Sequence, residues 1–243
     1  MNVMNVMNGS IEKTLLRTFA RYDVIGPFES QVSFPCVETD AASGRKEVFL
    51  FKAIYSSEPR VDEQLYERFP LGSVGDFWFI QSGIFTDKES VKAVVAALQT
   101  ANAAPNSYLS TNFPTNRRLG GCSLGFAVIA AVLGLPGNFV YTGWVNDYGK
   151  NPDFFIGPVE HTALKIAYCR ANRLPIFVAR KDMIEDDSTK SKSGLGRFYT
   201  VADFLDGVPF MVDVHDAIEC STISDAILLA NVIFMQAAMT NSS

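Results

Sequence analysis

The stretch Gly120-Gly121-Cys122-Ser123-Leu124-Gly125 runs directly into an apolar segment, Phe126-Ala127-Val128-Ile129-Ala130-Ala131-Val132-Leu133. The segment predicts a helix over residues 123–133, stopped by the breaker Gly134-Leu135-Pro136-Gly137. Glycines ahead of the helix let the backbone approach a substrate closely. A serine at such a start lies beside N–H groups without an intrahelical acceptor, which suits the stabilisation of an oxyanion. A Gly-Gly turn with a capping serine is also simply how helices begin, so both readings stand at this point.

Working outward, strands and helices mix on both sides. Residues 47–55, rich in β-branched and aromatic side chains, predict a strand, as do residues 76–81 with 83–85. Asp87 is placed to cap a helix over 88–102 with Val91, Val94, Val95 and Leu98 on one face. A short strand at 107–110 leads into a loop at 112–121. Downstream come a strand at 139–143, a polar loop at 148–152, a helix at 160–172 and an apolar strand at 175–179. A surface loop is expected at 188–196, a helical turn at 201–205, a strand at 208–214 and a closing helix at 223–239. Upstream, residues 11–22 suit a short amphipathic helix, and Gly26-Pro27 and Phe34-Pro35 break the pattern. The order has no strict βαβ rhythm, so the fold class is α+β or mixed α/β with a mixed sheet. Residues 1–46 read as an N-terminal extension and 47–243 as the main domain.

Composition narrows the function. The chain has 243 residues, 48% of them hydrophobic and 19% charged, enough for a real core. A net charge of -5 and a pI near 5.1 argue against nucleic acid as the main partner, because phosphate binding wants a basic stripe. Cys36, Cys122, Cys169 and Cys220 are scattered with no Cys-x-x-Cys or Cys/His cluster, so no metal site and free thiols are expected. The N-terminus repeats Met-Asn-Val without a basic start or apolar run, unlike a signal peptide. The most apolar segment, 226–239, is interrupted by Asn231 and Gln236 and is shorter than the ~20 residues that span a bilayer, so no membrane partner is expected.

A second segment, Val159-Glu160-His161-Thr162-Ala163-Leu164-Lys165-Ile166-Ala167, sets one lysine among apolar and small residues. On a helix Lys165 has Tyr168 and Cys169 one turn on, which draws its stem toward the core. Burial disfavours the ammonium and lowers its pKa, and moving a lysine from about 10.4 to near 7 takes about 4 kcal/mol. A neutral lysine of this kind can serve as the base that a serine alcohol needs. A lysine that snorkels from an amphipathic helix is the plain alternative.

With these residues in place, the chain resembles the proteolytic domain of Lon proteases over roughly residues 47–214. Gly121-Cys122-Ser123-Leu124-Gly125 is similar to that family's Gly-Pro-Ser-Ala-Gly type motif ahead of an apolar helix. Thr142-Gly143 matches its Thr-Gly pair at a strand end, and Lys165-Ile166-Ala167 begins a stretch similar to its lysine helix. Cys122 stands where the family has proline, Leu124 where it has alanine, Glu160-His161 in place of Gly-Gly and Tyr168-Cys169 in place of Ala-Ala. The resemblance implies a serine endopeptidase with a Ser123/Lys165 dyad. It implies Thr142 as the group that orients the amine, and Gly121 and Cys122 as oxyanion backbone.

The substrate implied is a polypeptide. Lon proteases carry an ATPase, whereas the phosphate-loop look-alike at residues 143–150 has the wrong spacing and Asn151 in place of Ser or Thr, so no cofactor is expected. A free-standing domain of this type resembles the birnavirus polyprotein-processing proteases, which implies processing of a viral polyprotein or of its own precursor, in host cytoplasm or virion. Homo-oligomerisation stays open. Three other readings remain: a Ser-His-Asp triad using His161 or His215, Cys122 as the nucleophile with His161, and a catalytically silent scaffold or virion-associated protein on the same fold.

Overall fold

The computed structural model describes residues 29–58, 79–80, 88–105, 107–113, 120–145, 155–184, 195–205 and 216–240. Among these, eight strands form one mixed sheet in the order β3-β4-β2-β1-β5-β8-β10-β9. They are β1 (Glu29–Thr39), β2 (Lys46–Ser56), β3 (Phe79–Ile80), β4 (Tyr108–Thr111), β5 (Val140–Tyr141), β8 (Ile176–Val178), β9 (Phe198–Tyr199) and β10 (Ala217–Glu219). A separate two-stranded ribbon joins β6 (Trp144–Val145) to β7 (Ile156–Gly157). The β1-β2-β4 part is antiparallel, whereas every pair from β1 through β5, β8, β10 and β9 is parallel. The expected mixed α/β class with a mixed sheet is therefore what the chain forms.

The first strand departs from the sequence reading. Residues 29–39, inside the stretch read as an extension and interrupted there by Phe34-Pro35, form a strand paired residue for residue with β2, from Glu29 opposite Ser56 to Thr39 opposite Lys46. Val32 and Phe34 alternate with Gln31 and Ser33, and both apolar side chains are buried. Pro35 is tolerated because β5 pairs with β1 only at Ser33, opposite Val140. Past that point the β5 side of β1 asks for no donor, so the missing N–H costs no ladder bond there. The strands β6, β7, β9 and β10 were not foreseen either; each is only two or three residues long.

Five helices accompany the sheet among the described residues: α1 (Lys88–Thr100), α2 (Gly125–Val132), α3 (Thr162–Ala171), α4 (Val201–Leu205) and α5 (Ile223–Thr240). All eight residues of α2 are buried, the property of a helix enclosed on every side. It lies against α1, β1, β2 and β5. It ends where Gly134 takes φ +64°, with Gly134 N–H donating to Ala131 C=O at 3.0 Å and Leu135 N–H to Ala130 C=O at 2.8 Å. That pair of bonds is a Schellman cap, which the glycine allows without steric cost. Phe126 on α2 meets Tyr141 edge-on at 5.5 Å, and Tyr141 stacks on Phe177 at 5.2 Å, which ties α2 to β5 and β8. The expected helix at 11–22, the loop at 148–152, the strand at 208–214, Asp87, residues 83–85 and most of the 188–196 loop lie outside the described residues. No described helix is long and apolar enough to cross a membrane.

Candidate active site

Ser123 lies in the turn that precedes α2, two residues before its first helical position. Gly121 holds φ +85°, a conformation that side chains disfavour, and it turns the chain so that Gly120 to Ser123 face a cleft. The turn closes where Gly125 N–H donates to Cys122 C=O at 3.1 Å. The N–H groups of Cys122, Ser123 and Leu124 have no backbone acceptor among the described residues. Leu124, buried behind the turn, anchors it in the core.

The lysine comes from α3. Its buried stripe is Thr162, Lys165, Ile166 and Cys169, the one-turn spacing of a core-facing helix edge. Lys165 thus occupies a core position and is 4% exposed. Its Nζ donates to Thr142 Oγ1 at 3.4 Å. Burial pulls the ammonium down from the ordinary 10.5 to about 8, while Cys36, Cys122 and Glu160 pull the other way. Thr142, itself buried, follows β5, and its N–H donates to Phe177 C=O at 3.1 Å.

These pieces meet in one cleft of about 250 Å³ that contains Gly121, Cys122, Ser123 and Lys165. The structure therefore brings together the serine turn and the lysine expected from sequence, with Thr142 on the amine. Among the described residues the amine's hydrogen bond is to Thr142 and not to Ser123. His161 also faces the cleft, but as the cap residue before α3 with φ +58°, and Lys46 Nζ stands 3.5 Å from its Nδ1. His215 lies outside the described residues. Cys122 is a poor candidate nucleophile, since burial raises its thiol pKa and a thiol attacks as the thiolate.

Sequence reasoning missed one wall of the cleft. Cys36, Val37 and Glu38 come from the end of β1, and Phe113 from just beyond β4. The signal was present in the alternation Gln31-Val32-Ser33-Phe34, but Pro35 masked it. The Cys36 thiol is pushed up to about 12 by burial, which makes it an inert wall at neutral pH. No group of histidine, cysteine and carboxylate side chains among the described residues is arranged to hold a metal ion. No protein-family model matches the chain, and no curated protein matches it in sequence.

Proposed function

We propose that the protein is a serine endopeptidase in which Ser123 attacks and Lys165 is the base. The observation that carries this reading is the burial of Lys165 with its amine on Thr142, in the same cleft as a serine that precedes a helix. A neutral amine accepts the Ser123 Oγ proton as the oxygen bonds to the scissile carbonyl. The resulting oxyanion is held by backbone N–H groups of the Cys122–Leu124 turn. The amine then gives its proton to the leaving nitrogen, and water releases the acyl group by the same path in reverse. The amine must come within reach of Ser123 Oγ for the first step, and such bonds tighten when substrate fills a cleft.

The edge of β1 beyond Ser33, free of β5 and bordering the cleft, offers main-chain groups to an extended peptide. A Lon-like fold accounts for the motif order Ser123, Thr142-Gly143, Lys165, and the birnavirus resemblance points to a polyprotein precursor as substrate. The decisive experiment compares the parent with Ser123→Ala on a precursor chain and with a serine-hydrolase probe. The parent should cleave and carry the label on Ser123, while the variant does neither and melts at the same temperature. Cleavage retained by Ser123→Ala discards the mechanism. One observation favours a silent scaffold instead, namely that among the described residues the amine makes no hydrogen bond to Ser123, and a parent that neither cleaves nor labels would establish that reading.

A further inference from the structure

We infer that Gly143 is a positioning residue that fixes the serine turn relative to the lysine, and that the methyl branch of Ile156 is the stop that sets its place. Two successive residues hold the two halves of the site. The Thr142 side chain takes the Lys165 amine at 3.4 Å. The next residue, Gly143, donates its N–H to Ser123 C=O at 3.4 Å and accepts from Phe126 N–H at 3.2 Å. The turn that carries Ser123 therefore hangs on the main chain of the residue beside the lysine's anchor. A displacement of Gly143 moves the nucleophile turn and the Thr142 hydroxyl together.

The packing leaves no room for such movement. A Cβ on Gly143 would lie 2.7 Å from Ile156 Cγ2 and 3.5 Å from both Gly157 C=O and Phe126 Cβ. Ile156 is fully buried on β7, paired with Val145 across the small ribbon. The ribbon is tied in place, because Ile156 N–H donates to Ser221 C=O at 3.0 Å, outside the ribbon. Gly143 has no positive φ, unlike Gly121, Gly134 and Gly196, so an alanine would suit its backbone. The requirement for glycine here is steric, and it comes from one methyl group. Gly143 itself touches no reacting atom.

The inference deepens the Ser/Lys reading and rests on it only for the kinetic arm of its test. Gly143→Ala should lower kcat about 10- to 100-fold with little change in KM, since the cleft walls stay while the reacting groups shift by a fraction of an ångström or more. Two readouts need no peptidase activity: the titration midpoint of Lys165 followed by NMR of labelled lysine, and the alkylation rate of Cys122. In Gly143→Ala the midpoint should rise toward that of an ordinary lysine and alkylation should speed up several-fold. Ile156→Ala, which removes the opposing methyl, should restore all three quantities when combined with Gly143→Ala. Ile156→Val keeps Cγ2 and should restore none.

Folded Gly143→Ala with unchanged midpoint and alkylation overturns the inference, as does equal recovery with Ile156→Val and Ile156→Ala. If Gly143→Ala does not fold, the double variant with Ile156→Ala decides, and failure to recover the parent's midpoint and alkylation rate again overturns it. An inactive parent would sink the peptidase reading, while the midpoint and the thiol rate would still decide this one.

Discussion

At the scale of single residues, the site depends on a lysine held where its charge is unwelcome. In the proposed mechanism only the uncharged amine can take the Ser123 proton, and burial lowers its pKa to about 8. The rate should therefore rise with pH through about 8 and level off above it, as a pH profile of kcat on a peptide substrate would record. Lys165→Arg should be inactive at every usable pH, because a guanidinium keeps its proton. An arginine variant as fast as the parent would move the base elsewhere, with His161 next in line. Thr142→Val keeps shape and removes the hydroxyl. It should slow the reaction by about 10-fold or more while costing roughly 1 kcal/mol of stability, because a long hydrogen bond contributes little to folding but orients the amine. If urea unfolding and kcat fell in proportion, Thr142 would be an ordinary strand residue.

At the scale of elements, the turn before α2 is the part that local geometry controls. Gly121 holds φ +85°, and among the described residues, its chain neighbours aside, no atom lies within 4 Å of where a Cβ would stand. Gly121→Ala therefore meets no clash, and its cost is conformational, about 1–2 kcal/mol. The chain should relieve it by rearranging the turn, with a loss of activity larger than the loss of stability. Denaturant unfolding set beside kcat would measure both, and a variant indistinguishable from the parent would mean that the turn does not need this conformation. The three helices α1, α2 and α3 end alike, with Asn102, Gly134 and Arg173 at positive φ. The glycine stop after α2 was readable in sequence. The arginine was not, because nothing in its side chain favours that backbone.

At the scale of the whole molecule, the buried lysine sets a slope in stability. Between about pH 8 and 10.5 the unfolded chain binds a proton at Lys165 that the folded chain does not, so stability rises with pH across that window. Below about 8 the penalty is complete and constant. Lys165→Met should then stabilise the fold at pH 7 by about 1–3 kcal/mol, after allowing for the bond that Thr142 loses. The gain should shrink as the pH is raised from about 8 toward 10.5. A gain that is absent, or identical at pH 7 and pH 10, would mean that the lysine is solvated in the folded protein. Stability given up at one buried group is the expected mark of a site built for chemistry rather than packing.

Much of this was legible in the chain itself, because it rests on local rules. The apolar run 126–133, stopped by Gly134, reads as a helix, and helical spacing puts Cys169 one turn on from Lys165, as the structure has them. The strands at β2, β4, β5 and β8 were likewise readable from their β-branched and aromatic content. Tertiary structure alone decided the place of β1. Its proline argues against a strand until the neighbour on that side is seen to part from it after Ser33. It alone decided that Cys36, Val37 and Phe113 wall the cleft, since residues far apart in the chain meet only through sheet order. It also decided the state of Lys165. Helical spacing says which side of α3 the lysine is on, but the pKa depends on how much water the rest of the fold removes from it, and that is a property of the packed molecule.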